Sequence, residues 1–184
     1  MKLLVANRGE IAIRLMRAAA ELNIPTVAVA PADDASALHT VKADETVTLP
    51  GSGPAAYLNI AEVVKAAKDT GCDAVHPGYG FLAENGEFAR ACDEVGITYV
   101  GPSASMLELF GDKARARAAA TEAGVPIVRG IDHAVSQAEA SAFFAELGDG
   151  RSMMIKAIAG GGGRGSRMVD SADDVAATFE RCAS

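Results

Sequence analysis

No apolar run in these 184 residues approaches the roughly 20 residues needed to span a membrane. Met1-Lys2 is followed by only four apolar residues before Asn7-Arg8, too few for the core of a signal peptide, so a cytoplasmic protein with no membrane partner is expected. Cysteine is scarce. Cys72, Cys92 and Cys182 are far apart and odd in number, which fits neither a disulfide framework nor zinc-ligand spacing and points to thiols in a reducing compartment. Positive charge is in deficit too: 17 Lys and Arg against 24 Asp and Glu give a net charge of -7. That argues against the basic face a nucleic-acid partner demands, yet leaves room for local positive charge around a nucleotide. The three histidines, His39, His76 and His133, are scattered. No HExxH pattern, Ser/His/Asp set or carboxylate pair can be assembled, so each histidine is read as structural and no metal ligands are expected within the chain.

What the chain does have is a 49% hydrophobic composition, enough for a globular core comprising one domain and part of a second. It also has a distinctive stretch from Met153 to Val169: an apolar run ending in Lys156, then Gly160, Gly161, Gly162, Gly163 and Gly165, then a second apolar run. Glycine lets successive backbone amides approach an anion without a Cβ in the way, and a nearby lysine adds a point charge. A Walker A loop has its lysine after the glycines and opens a helix. Here the lysine comes first and a strand is expected to follow. Two readings stand at this point: a nucleotide loop of another kind, or a flexible hairpin tip.

Along the chain, the apolar run at Leu3 to Ala6 reads as a buried strand. Asn7-x-x-Glu10 has the pattern of a capping box opening a helix, and Thr26 to Ala30 is the next strand. Glu45 to Leu49 is a short strand, Gly51 to Pro54 a loop, and Asn59-x-x-Glu62 a second capping box leading a helix to about Thr70. A strand at Cys72 to Val75 runs into His76-Pro77-Gly78-Tyr79-Gly80, a helix spans roughly Asn85 to Glu94, and Thr98 to Val100 closes the sheet. Residues 1–101 are therefore expected to form a Rossmann-like, doubly wound α/β layer with a parallel sheet and helices on both faces. Residues 102–124 read as a helical connection, with helices at 105–110 and 112–123 and Gly124 as the stop. Residues 125–184 read as an incomplete second unit with a helix from Ser136, two strands around the glycine loop and a last helix capped near Ser171. Two strands make a marginal sheet, so a longer polypeptide is expected, with Met1 as its natural start.

The first βα turn carries Gly9 but not the other glycines of a dinucleotide fingerprint, so a capped helix is favoured there over a dinucleotide site. His76, Tyr79 and Glu84 lie beyond a strand at the ligand-binding edge of an open parallel sheet, where a rigid turn and a functional loop are both open readings. Lys113 follows Gly111-Asp112 at a helix start; it is either a solvated lysine or one that faces an anion together with the first helical amides.

Taken together, Asn7-Arg8-Gly9-Glu10-Ile11-Ala12, His76 to Leu82 with Glu84-Asn85, Gly101-Pro102, Gly111-Asp112-Lys113 and Lys156 to Arg167 resemble the biotin carboxylase family of the ATP-grasp superfamily, in order and over the whole chain. The first two segments separate it from carbamoyl phosphate synthetase and the purine ligases, which share the fold. The resemblance implies an N-terminal α/β domain followed by part of the ATP-grasp lid. It implies an ATP-dependent ligase that uses Mg-ATP and bicarbonate, through carboxyphosphate, to carboxylate biotin on a carrier domain, in company with a carboxyltransferase component and as a homodimer or larger assembly. By position, Lys113 and Lys156 would hold ATP phosphates, Lys156 also lying near the adenine. Gly160, Gly161, Gly162, Gly163 and Gly165 would form the loop, and Tyr79 would line the bicarbonate and biotin end while His76 orders its loop. Arg17 and Glu21 on the first helix would lie near a dimer interface. The Mg2+ ligands, the catalytic arginine and the biotin-contacting residues would lie beyond residue 184, so the 184 residues alone are expected to be inactive. Ser166 stands where the family usually has Met, and Ala159 where some members have Gly. Another ATP-grasp ligase and a non-catalytic dimerisation module are the alternatives.

Overall fold

Strands that are apolar at every position must be buried on both faces, and that requirement organises the front of this chain. In a computed structural model that describes residues 1–131, 133–157 and 165–183, β1 (Leu3–Val5) and β2 (Thr26–Pro31) are buried throughout. The chain forms two compact units, 1–116 and 117–184.

In the first unit, β1 is followed by α1 (Gly9–Glu21), β2, a 3-10 turn at Ala32–Asp34, α2 (Leu38–Lys42) and β3 (Glu45–Leu49). Then come α3 (Gly53–Ala56), α4 (Ile60–Asp69), β4 (Ala74–His76), α5 (Gly86–Glu94), β5 (Thr98–Tyr99) and α6 (Ala104–Gly111). The five strands form one parallel sheet in the order β3-β2-β1-β4-β5. Alternation sorts the side chains. Leu3, Val5, Ala28 and Ala74 pack with Ala12, Met16 and Ala19 of α1. Leu4, Ala6, Val27, Val29 and Val75 pack on the other side with Val63 and Ala67 of α4 and Phe88 and Cys92 of α5. Helices thus cover both faces of the sheet, as in a doubly wound fold.

Caps set most of the helix starts. The side chains of Asn59, Asn85 and Ser103 accept from the backbone N–H three residues on, at 3.2, 2.9 and 3.4 Å, each worth about 1 kcal/mol. The start of α1 differs from the sequence expectation. Arg8 occupies the cap position with no side-chain cap, because Asn7 is engaged elsewhere. Gly51 to Pro54 is not purely loop: Gly53 and Pro54 open α3, since the fixed φ of proline suits a first helical turn. The five-residue α2 has no periodic signature and was not expected; it seats the fully buried His39 against the Val29 carbonyl, Nε2 to O 3.3 Å.

The helix α7 (Lys113–Glu122) carries the chain across the unit boundary. The second unit contains α8 (Gln137–Leu147), β6 (Met153–Lys156), β7 (Ser166–Val169), a 3-10 turn at Ala172–Asp174 and α9 (Val175–Ala183). Ser136 and Glu139 form a reciprocal capping box at the start of α8. β6 and β7 pair antiparallel, and Met153 and Val169 on their inner face join Ala140, Val175 and Phe179 in a small core.

Candidate functional site

In the sheet order, sequence direction reverses between β1 and β4. At such a switch point the loops leaving two neighbouring strands diverge, and a crevice opens at their C-terminal ends. A cavity of about 230 Å³ lies there, lined by Asn7, Arg8, Glu10, Ile11, Tyr79, Gly80 and Phe81.

Asn7 is 2% exposed. Its Nδ2 donates to the carbonyls of Pro77 (2.7 Å) and Tyr79 (2.8 Å), and its Oδ1 accepts from Arg8 N (2.8 Å). The N-x-x-E pattern is therefore a loop clamp rather than a capping box. Asparagine can cap through its acceptor, as Asn59 and Asn85 do, but the amide donors of Asn7 find partners far along the chain that the local pattern does not reveal. Glu10, likewise read as part of the cap, accepts the Tyr79 hydroxyl at 2.6 Å. This raises the Tyr79 phenol above its ordinary value through the hydrogen bond and the carboxylate charge.

The loop itself is tightly bent. Gly78 and Gly80 have φ of +67° and +68°, and Phe81 is left-handed at +43°. A Cβ on Gly78 would come within 2.8 Å of Asn7 Nδ2. Gly78 N donates to His76 Nδ1 at 3.0 Å, and burial lowers the pKa of His76. With Nδ1 accepting, the neutral ring carries its proton on Nε2. That geometry makes His76 a group that orders the loop.

Arg8 forms the wall of the cavity. Its guanidinium bonds both carboxylate oxygens of Asp34, Nε to Oδ2 2.6 Å and Nη2 to Oδ1 2.8 Å, and Tyr57 donates to the same Oδ2 at 2.6 Å. The Arg8 hydrogen bonds, with Tyr57 adding to them, hold Asp34 down at about 2, while burial and Asp34 push the Tyr57 phenol up. Nothing in the sequence pattern marked this network, whose members are 26 and 23 residues apart. Because the Asp34 pKa is depressed in the folded chain, its stabilisation is complete above the ordinary value of 3.8 and lost as pH falls through about 2. Asp34→Asn is expected to cost about 1 kcal/mol at neutral pH, allowing for the half-exposed Arg8. Urea unfolding of variant and parent should converge as the pH approaches 2.

Lys113 opens α7. The first amides of that helix are met from within the chain: Asp112 Oδ1 accepts from Ala114 N (2.9 Å) and Arg115 N (3.1 Å). A carboxylate one residue before Lys113 fills that role.

In the second unit, Lys156 ends β6 and pairs with Ser166, while Met154 pairs with Met168. Alternation puts these four on the face of the hairpin opposite the Met153–Val169 core, and Met154 and Met168 are 52% and 61% exposed. An apolar pair beside a lysine on one open face was not anticipated from the sequence. The hairpin is closed by Ala157 N donating to Gly165 O at 2.9 Å. Gly165 has φ +75°, and a Cβ there would lie 2.8 Å from that of Ala157, so glycine is required. Gly160, Gly161, Gly162 and Gly163 lie outside the described residues. The antiparallel pairing of the flanking strands distinguishes this segment from a Walker A loop. Among the described residues no group of three or more His, Cys, Asp or Glu could hold a metal ion, and no helix is long and apolar enough to cross a membrane. Cys72, Cys92 and Cys182 are free and buried.

An open parallel α/β sheet with a clamped switch-point loop, followed by a lysine-bearing glycine hairpin, defines the front of an ATP-grasp type of protein. The family model for the biotin carboxylase N-terminal domain matches residues 1–107, and that for the ATP-binding domain of the carbamoyl-phosphate synthase L chain matches residues 112–184. The chain belongs to the biotin carboxylase family. It is 50% identical to pyruvate carboxylase of Staphylococcus aureus, with all of the chain and 16% of that protein covered. It is 48% identical to biotin carboxylase 1 of Bacillus subtilis, over 95% of the chain and 39% of that protein. Among solved structures, the biotin carboxylase domain dimer of Hydrogenobacter thermophilus 2-oxoglutarate carboxylase, in complex with MgADP, ADP and bicarbonate, superposes with a TM-score of 0.91 at 44% identity, covering 98% of this chain and 40% of that one. The chain thus spans well under half the length of these relatives.

Proposed function

We propose that this chain is the N-terminal part of a biotin carboxylase: an ATP-dependent ligase that uses Mg-ATP and bicarbonate to carboxylate biotin on a carrier domain, and works with a carboxyltransferase component. The observation that carries this reading is the pairing, in one chain, of the Asn7- and Glu10-clamped loop at the switch point with the lysine-first glycine hairpin. Residues 1–101 act as the α/β domain, 102–124 as the connection and 125–184 as part of the lid.

Lys113 and Lys156 neutralise ATP phosphates, and Gly160, Gly161, Gly162, Gly163 and Gly165 belong to the ATP-binding loop. The open face bearing Met154 and Met168 beside Lys156 suits a flat apolar base joined to a polyphosphate. Tyr79 lines the bicarbonate and biotin end, with His76 ordering its loop. Mg2+ supplies charge neutralisation at the transferred phosphoryl group, and its ligands come from outside these residues. The face of α1 bearing Arg17 and Glu21 meets a second copy in a homodimer. The free thiols favour a reducing compartment, the cytoplasm.

The match of residues 112–184 to the carbamoyl-phosphate synthase domain supports a second reading, another ATP-grasp ligase. Measuring ADP release by the full-length protein separates them. Dependence on both bicarbonate and free biotin is the expected result. Release that needs an amine and ignores biotin would overturn the first reading. The 184 residues alone are expected to release none.

A further inference from the structure

We propose that His39 is a proton-operated latch: while neutral it holds residues 32–43, and with them the Asp34 partner of Arg8, against β2, and on protonation it lets the segment go. The segment comprises the 3-10 turn at Ala32–Asp34 and the five-residue α2. Between residues 32 and 48 the one buried residue is His39, and its burial is complete. The apolar side chains of α2 do not share the task, since Leu38 and Val41 are 58% and 72% exposed. The far end is pinned: Ala43 packs beside the α1 cluster, and Asp44 accepts from Thr26 N (2.7 Å) and Oγ1 (3.0 Å). A segment with so little apolar burial opens locally at low cost, so its single buried side chain decides whether it stays down. Once lifted, a helix of five residues does not persist.

Histidine is a poor anchor on grounds of stability alone. Nε2 lies 3.3 Å from the Val29 carbonyl, so the neutral ring carries its proton there. Nδ1 is then an acceptor without a partner, the one buried side-chain nitrogen or oxygen so placed among the described residues. A leucine would fill the place without leaving a polar atom unsatisfied. What a leucine cannot do is change state. Protonation turns the orphan acceptor into an orphan donor and puts a full charge into a site closed to water. In the open segment the same ring is solvated and takes the proton freely.

The surroundings favour the neutral ring. Asp34 acts to promote protonation and Arg8 to oppose it. Both Asp34 oxygens are already occupied, by Arg8 and by the Tyr57 hydroxyl, and the Tyr57 ring lies 6.5 Å from that of His39. Strand β2 carries no titratable side chain, and Lys42 and the charged residues of α1 (Glu10, Arg14, Arg17 and Glu21) are exposed. Burial is the largest influence and lowers the pKa of His39 below its ordinary 6.5. Because the folded value is depressed, the latch is fully engaged above 6.5 and weakens as the pH falls below it.

The remaining ties cannot replace the anchor. Asp33 accepts from Gly53 N at 2.9 Å, Thr46 Oγ1 donates to the Thr40 carbonyl at 3.0 Å, and Asp34 meets the half-exposed Arg8. Contacts between groups this exposed add little. When the segment lifts, Asp34 leaves Arg8, and the switch-point cavity loses the fixed guanidinium of its wall. The shape of that cavity thus depends on the protonation of a residue that does not line it.

Hydrogen exchange of the 184-residue chain, read by mass spectrometry between pH 7 and 5.5 and corrected for the intrinsic pH dependence of exchange, tests the latch. The amides of Ala35, Ala37 and Thr40 are hydrogen-bonded within the segment. Protection of 32–43 should fall by about three- to tenfold over that range, about tenfold per pH unit being the limit for uptake of one proton. Protection of β1 and α4 should hold. Asp34, at about 2, titrates far below this window. His39→Leu should abolish the pH dependence in 32–43, and His39→Gln, which keeps a donor for the Val29 carbonyl, takes its place if that variant does not fold. Constant protection in 32–43 of the parent, an equal loss in β1 and α4, or a pH dependence that survives removal of the imidazole overturns the proposal.

Discussion

Lys156→Ala in the full-length protein is expected to lower bicarbonate-dependent ATP turnover by about 100- to 1,000-fold, the usual consequence of removing a preorganised charge from a phosphoryl-transfer site. The fold should not notice. Lys156 is exposed at the end of β6, its strand pairing with Ser166 is made by the backbone, and the hairpin's core contacts come from Met153 and Val169 on the other face. A change of less than about 0.5 kcal/mol in unfolding free energy is therefore expected. Lys156→Arg keeps the charge but spreads it over a planar group, and should recover only part of the rate. A drop of less than about threefold in Lys156→Ala would remove Lys156 from the phosphate site, because uncompensated loss of a full charge there cannot be so mild.

Phe88→Ala is expected to have the largest effect on stability, about 3–5 kcal/mol, the sum of lost burial and the cavity left behind. Phe88 is fully buried on α5 and meets the ring of Tyr99 edge-on, 5.7 Å between centroids. It shares a core cluster with Val75, Leu82, Cys92 and Ile97. Tyr99 in turn donates to the Ala83 carbonyl at 2.7 Å, just beyond the strained loop. The chain has no tryptophan, and Tyr57, Tyr79 and Tyr99 all belong to the first unit, so tyrosine emission reports the unfolding of that unit alone. The denaturation midpoint should fall without a change in slope. A loss under about 1 kcal/mol would mean that the site collapses around the smaller residue.

The sheet was legible because its signals are local. Continuous apolar runs bounded by helices favour a parallel sheet covered on both faces, and Leu3 to Val5 and Val27 to Ala30 are such runs. Ser136-x-x-Glu139 is a true capping box for the same reason: both partners lie within one turn. Asn7-x-x-Glu10 carries the same local signal with a different meaning, because its partners are some 70 residues away and no short window can weigh them. The Arg8–Asp34–Tyr57 network was missed on the same ground. At Asp112-Lys113 a neighbouring carboxylate reaches the helix amides, a contact that no motif in the sequence marked. The open face of the β6–β7 hairpin required the strand register, which the sequence did not specify because the run from Met153 to Ile155 is apolar on both faces.

The reach of the Asn7 clamp bears on how the protein acquires its shape. Closing a contact across 70 residues is entropically unfavourable until most of the chain between is ordered. Asn7 cannot find the Pro77 and Tyr79 carbonyls before β1 and β4 lie side by side, and that adjacency brings together strands separated by β2 and β3 in the chain. The placement of Tyr79 thus depends on the paired sheet rather than on its own loop alone. The crevice at this end of the molecule therefore exists only where β1 and β4 are paired.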